Sequence, residues 1–225
     1  MKEREVIKMK MSRREWAVFN IVKELDVCDD HSSYDVQKRL DDTPYKDDFK
    51  LYHGVTKICL VNENDDFIVK WSHDKWGDVD EGMNEVELYK KAKAIGLDMF
   101  FPETKLLGKV NDVNIIAQKK YDFSAYAVQN EMKYDSTERK YKKITQTVTN
   151  RIYDKMYDGF HYEGGYCLRP LDRLWAKMCI SIYGKKLVKK LCDFIAENKI
   201  NDLHSENIGY LKNKPIIIDF GGYAR

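Results

Sequence analysis

The sequence predicts an α+β fold in two parts, and three patterns carry that prediction. Two stretches of strand character, Leu51 to Val61 and Asp66 to Trp71, lead into one helix, Asn84 to Ile95. A hairpin pattern follows, with Leu106 to Val110 and Val113 to Ala117 on either side of Asn111-Asp112. Beyond Tyr121 the chain reads as mostly helical, until a polar loop and a last small hairpin close it. An antiparallel sheet with one helix, then a helical part, implies two lobes with a cleft between them. The expected boundaries are a helical extension over 1–50, a sheet lobe over 51–122 and a reduced helical lobe over 123–225.

Each element has its own signal. Ser12 to Glu15 (Ser-Arg-Arg-Glu) fits a capping box, and Trp16, Val18, Ile21, Val22 and Leu25 follow at helical spacing. The polar stretch Asp29 to Asp48 reads as loop or short helix. Asn62-Glu63-Asn64-Asp65 is turn-rich. On the helix from Asn84, Val86, Tyr89 and Ala92 share a face. Leu187, Val188, Leu191, Cys192, Phe194 and Ile195 mark a buried helix. Asn207 to Tyr210 and Pro215 to Ile218 read as short strands around Lys212-Asn213-Lys214. The basic run Arg139 to Lys143 reads as a solvated helix face, and Trp16, Trp71, Trp76 and Trp175 as packing residues.

Composition narrows the function classes. At 225 residues with 43% apolar side chains, the chain is long enough to build a sizeable core. Thirty-nine Lys and Arg stand against 37 Asp and Glu, a net charge of +2, and the two signs are interleaved. That balance argues against disorder and against a nucleic-acid partner. The 5 cysteines are odd in number and form no Cys-x-x-Cys pair, which reads as reduced thiols in a cytosol-like compartment. The 5 His show no zinc spacing. No apolar run reaches membrane length and the N-terminus is charged, so a cytoplasmic protein with no membrane partner is expected. A secretion route without a cleaved signal stays open.

The chemistry concentrates in a few polar residues. Asp202 and Asn207 share a loop after the buried helix, where an Asp can take a proton from an attacking hydroxyl and an Asn can turn back to bind a metal. Asp219 follows an apolar strand, a position from which a carboxylate can hold Mg²⁺, a hard cation that prefers oxygen. Lys70 ends Phe67-Ile68-Val69, where a cation can meet phosphate oxygens, and Glu85 on the next helix can hold it. Taken singly, these residues have ordinary readings: a solvated strand-end lysine, a surface helix charge with Glu87 as competitor, and loop-capping polar groups.

Together they resemble the protein kinase superfamily. The catalytic-loop pattern stands as Ile200-Asn201-Asp202-Leu203-His204-Ser205-Glu206-Asn207, and Asp-Phe-Gly as Asp219-Phe220-Gly221. Phe67-Ile68-Val69-Lys70 takes the place of the lysine strand, and Asn84-Glu85-Val86-Glu87 holds the helix glutamate. The resemblance runs from about Leu51 to Gly222 and implies a protein-kinase-like two-lobed fold with ATP and Mg²⁺ as cofactors. Lys70 would bind the α- and β-phosphates and Glu85 would pair with it. Asp202 would orient or deprotonate the acceptor hydroxyl. Asn207 and Asp219 would hold Mg²⁺.

The departures are specific. Tyr52-His53-Gly54-Val55-Thr56-Lys57 has one glycine where the family pattern has three, so Lys57 or Thr56 would substitute in approaching the phosphates, against an ordinary reading of Lys57 as a solvated strand residue. Ile68 replaces the small residue that lies against the adenine and implies a shallower base pocket. Ile200 and Asn201 replace the His and Arg before the acid, which removes the cation that receives a phosphorylated loop. Only Gly222-Tyr223-Ala224-Arg225 follow the Asp-Phe-Gly motif, so no activation segment is expected. His204 resembles the loop of aminoglycoside phosphotransferases and would contact the γ-phosphate, against an ordinary reading as a loop histidine.

The resemblance implies a minimal serine/threonine protein kinase of the bacterial effector or phage and bacterial kinase-like type. Its substrate would be a protein, with a partner protein as a possible activator. A small-molecule kinase and a pseudokinase acting as a nucleotide-dependent binding module are the alternatives.

Overall fold

The computed structural model describes residues 11–28, 32–53, 57–72, 80–121, 132–135, 140–143, 173–200, 207–212 and 214–221. They form a mixed α+β chain in two compact units, Met1–Glu87 with Glu103–Lys120, and Leu88–Pro102 with Tyr121–Arg225.

The first unit is built on a five-stranded antiparallel sheet. Its strands are β1 (Lys50–His53), β2 (Lys57–Val61), β3 (Phe67–Ser72), β4 (Thr104–Val110) and β5 (Val113–Lys119), in the order β1-β2-β3-β5-β4. Side chains alternate across a strand, and this alternation gives the sheet two different faces. Ile58, Leu60, Phe67, Val69, Trp71, Ile115 and Ala117 fall in one buried cluster. The alternate positions, Lys57, Cys59, Ile68, Lys70, Ile116 and Gln118, occupy the opposite face.

Two N-terminal helices cover the apolar face. In α1 (Arg13–Glu24) the expected capping box forms, with Ser12 Oγ accepting from the Glu15 amide and Glu15 accepting from the Ser12 amide. Helix α2 (Ser33–Asp41) starts on a second box, Ser32 with Asp35. Val18, Phe19 and Val22 of α1 and Val36 and Leu40 of α2 join the sheet's cluster. Glu15 also takes an ion pair from Lys105 of β4 at 2.8 Å.

Helix α3 (Glu81–Ala94) follows β3 and leads through a 3₁₀ turn (Asp98–Phe100) into β4. It opens on Asp80, whose Oδ1 accepts from the Met83 amide at 2.9 Å. Asn114 of β5 donates to the other oxygen of Asp80, so the cap is tied to the sheet. Asn111 and Asp112 join β4 to β5 with φ of 44° and 66°, the left-handed pair that a tight two-residue hairpin requires.

The second unit contains β6 (Met132–Asp135), β7 (Lys140–Lys143), α4 (Arg173–Tyr183), α5 (Lys185–Glu197), β8 (Ile208–Leu211) and β9 (Lys214–Ile217). Its core gathers Leu88, Tyr89 and Ala92 with Phe100, Phe101, Val188, Leu191, Phe194, Ile195, Ile217 and Phe220.

The structure departs from the sequence-based expectation in three places. Leu51 to Val61 is not one strand: β1 and β2 pair antiparallel, Leu51 opposite Leu60, so the chain reverses between His53 and Lys57, beside its single local glycine. Beyond Tyr121, where mostly helix was expected, the described residues include β6 and β7, paired in a hairpin with Tyr134 opposite Tyr141. Residues Lys140–Lys143 of the basic run are therefore strand, since Lys-Tyr-Lys alternation serves period two as well as a helix face. Finally, α3 starts three residues before Asn84, where Asp80 supplies the cap.

Trp71 is buried and Trp16 packs at the edge of the first core, as expected. Trp76 and the side chain of Trp175 lie outside the described residues. Among the described residues, no helix is long and apolar enough to cross a membrane.

Candidate functional site

The polar face of the sheet holds a buried charge cluster. Lys70 lies inside β3, two residues before its end at Ser72, and is 3% exposed. The reading of a solvated strand-end lysine does not hold. Glu85 is fully buried on α3, whereas its competitor Glu87 is exposed. An unpaired ion at such depth costs several kcal/mol, so these charges need one another.

Of the pairings inside the cluster, that of Glu85 with Lys70 was expected and that with Lys57 was not. Lys70 Nζ stands 3.9 Å from Glu85 Oε2, within ion-pair range but beyond hydrogen-bond length. Lys57 Nζ donates to Glu85 Oε1 at 2.9 Å and stands 3.2 Å from Glu81 Oε2. Lys57 is buried in this cluster and not a solvated strand residue. Gln118 of β5 completes the arrangement: its Nε2 donates to Glu85 Oε2 at 3.1 Å and to Thr104 Oγ1 at 3.2 Å. Its Oε1 is buried with no hydrogen-bond partner. The amide orientation follows from Glu85, because a flip would aim oxygen at a carboxylate.

Ile68 is buried on the same face, opposite Gln118 in the β3–β5 register. Two buried lysines and an apolar neighbour thus share this face.

In the second unit, Asn207 and Asp219 leave the β8–β9 hairpin at the same end. Register pairs Ile208 with Ile217, and the Ile218 amide donates to the Asn207 carbonyl at 2.9 Å, extending the ladder by one step. Asn207 is buried and Asp219 partly exposed. Two oxygen-bearing side chains on adjacent chain ends suit a hard divalent cation such as Mg²⁺. Phe220 anchors the segment, fully buried with its ring centroid 4.8 Å from that of Phe101.

Gly54, Thr56, Asn201, Asp202 and His204 lie outside the described residues. Among the described residues no group of three or more His, Cys, Asp and Glu gathers as a metal site.

Sequence reasoning missed Glu81 and Gln118. Glu81 and Glu85 sit one turn apart, a spacing visible in the sequence as two acids on one helix face. Gln118 was visible as a polar residue on the same strand face as Asn114 and Ile116. Compared with protein-family models, with curated proteins and with solved structures, the chain matches none of them.

Proposed function

We propose that this protein is an ATP- and Mg²⁺-dependent phosphotransferase acting on hydroxyl groups, of the minimal serine/threonine protein kinase kind. The observation that carries the reading is Lys70, a buried cation on the third strand of a five-stranded antiparallel sheet, beside buried Glu85 on the helix that follows. That order of strand, lysine, helix and glutamate is the order of the resemblance. The common exit of Asn207 and Asp219 from the β8–β9 hairpin supports it independently.

In this reading Lys70 binds phosphate oxygens, and Glu85 orients Lys70. Ile68 lines the base side. Asp202 accepts the proton of the acceptor hydroxyl and holds it in line. His204 approaches the transferred phosphate, and the backbone at Gly54 gives the phosphates room. Asn207 and Asp219 supply oxygen ligands. Mg²⁺, when bound, would offset phosphate charge during transfer. Such catalysis is positioning and electrostatics, because phosphoryl transfer asks little covalent chemistry of the protein.

The test is phosphate transfer from labelled ATP with Mg²⁺, comparing wild type with Lys70→Ala and Asp219→Ala. The acceptors offered are the protein itself, a generic basic protein and a panel of small hydroxyl compounds. Label on protein, lost in both variants, supports the reading. Label on a small compound moves the acceptor class, as the Asp202-Leu203-His204 loop would favour. No transfer, with ATP still bound, overturns it in favour of a nucleotide-dependent binding module.

A further inference from the structure

Lys57 pairs Glu85 at 2.9 Å and Glu81 at 3.2 Å, although the resemblance gives it only a substitute's place beside the phosphates. Register explains its reach. Lys57 lies opposite Ser72 and Lys70 opposite Cys59, so the two lysines are diagonal neighbours on one face of the β2–β3 pair. Both can address the same carboxylate on α3.

Glu81 and Glu85 are one helical turn apart and both are turned toward Lys57. Like charges at that spacing repel, and more strongly where water is excluded. Lys57 sits against both. The side chains of Lys57 and Lys70 balance those of Glu81 and Glu85 in formal charge. Lys70, the other lysine of the cluster, stands farther from Glu85, at 3.9 Å.

We propose that Lys57 is a positioning residue: by pairing Glu81 and Glu85, it holds the first turns of α3 against the sheet and keeps Glu85 beside Lys70. Its consequence for catalysis rests on the phosphotransferase reading. Lys57 acts through Glu85 and not by touching phosphate, because its ammonium is buried and already engaged by two carboxylates. The latch is supplied from within the chain. Loss of the latch leaves the fold standing, because Asp80, Asn114 and Gln118 still tie α3 to the sheet.

The experiment uses the full chain as wild type, Lys57→Met, Lys57→Arg, Glu81→Gln and the Lys57→Met/Glu81→Gln double variant. Hydrogen exchange of residues 81–87 reads the latch, and MgATP affinity by calorimetry reads its consequence. Lys57→Met is expected to speed exchange in α3 by about tenfold or more, with the sheet amides unchanged. MgATP affinity falls by a similar factor, about tenfold, as Lys70 loses its oriented partner. Lys57→Arg keeps most of both. Glu81→Gln restores much of the α3 protection in the Lys57→Met background, because it removes one of the two like charges that Lys57 stands between.

Three results would overturn the latch: α3 exchange unchanged in Lys57→Met, exchange raised evenly through the whole unit, or no rescue by Glu81→Gln. Weakened MgATP binding with unchanged α3 exchange would make Lys57 a direct ligand contact and overturn the positioning role. A wild type that binds no MgATP would fail the phosphotransferase reading, while the exchange comparison still decides the latch.

Discussion

Gly108 of β4 lies directly under the ring of Phe19 from α1, so close that a Cβ there would fall 2.7 Å from the ring tip. The contact occurs where the β4–β5 register slips by one residue, between Leu106 and Gly108. It is how the N-terminal helix seats on the sheet. Phe19 cannot swing aside, because it is buried, with Trp16 beside it and Lys23 over its ring. Gly108→Ala is therefore expected to cost about 1–3 kcal/mol by overpacking. Urea unfolding of the full chain measures it. Phe19→Leu combined with Gly108→Ala should cost less than the two changes summed, since the smaller side chain removes the clash. Additive costs would mean that α1 shifts freely and that the close approach constrains nothing.

The charge cluster makes a second prediction, about stability. Glu85 is held by Lys57 and Gln118, with Lys70 nearby. Removing one partner of a buried ion pair typically costs about 3–5 kcal/mol, because the remaining charge stays buried. Glu85→Ala should fall in that range by urea unfolding. Adding Lys57→Met should cost less than the same change costs in wild type, because the Lys57–Glu85 pair is already gone and only the pair with Glu81 is left to lose. A double variant that loses the full sum would show that the two side chains act separately.

Period and turn chemistry made most of the fold readable. Asn111-Asp112 named its hairpin, and Ser12 with Glu15 named the start of α1. What the sequence left unread depended on partners remote in the chain. Strand period continues through Tyr52 to Ile58, so the reversal between His53 and Lys57 was hidden and β1–β2 looked like one strand. For the candidate site, Lys70 and Glu85 were expected beside one another, and their charges stand 3.9 Å apart. Lys57 had two readings, beside phosphate or solvated, and neither found Glu85, because only pairing β2 beside β3 turns it toward α3. Glu81 fell outside the helix expected from Asn84, so its shared face with Glu85 was not used.

A third prediction concerns alkaline pH. Burial pushes the Cys192 thiol from 9.0 up to about 12, with the nearby Asp193 adding to the rise. Burial likewise raises Tyr183 from 10.0 to about 12 and holds Cys179 well above 9.0. Between about pH 9 and 12 the folded chain keeps protons that the unfolded chain releases, so stability falls as pH rises through that window. Below pH 9 the thiol contribution is fully present. The urea midpoint should drop between pH 8 and 11, and the drop should be shallower in Cys192→Ala. At pH 8 an alkylating reagent should label Cys28 and Cys59, both partly exposed, well before Cys179 and Cys192. Peptide mass spectrometry reads the order, and early labelling of Cys192 would contradict its burial.

The last prediction separates structure from chemistry at adjacent positions. Phe220 is fully buried against Phe101, within the core that also holds Phe194 and Ile217. Asp219 is partly exposed, one residue past the backbone bond between Ile218 and Asn207. Phe220→Ala opens a cavity and should cost about 3–5 kcal/mol; Phe220→Leu fills most of it and should cost less. Asp219→Asn keeps the size of the side chain and removes its charge. It should leave the urea midpoint within about 0.5 kcal/mol of wild type. In the phosphotransferase reading the same change should lower phosphate transfer by about a hundredfold or more, because it removes the one charged ligand of the proposed pair for Mg²⁺. Measured together, a stability loss at Phe220 and an activity loss at Asp219 would assign packing to one residue and metal binding to its neighbour. If Asp219→Asn transferred phosphate at the wild-type rate, the metal role would have to move to another oxygen donor, and the phosphotransferase reading would lose its support in the second unit.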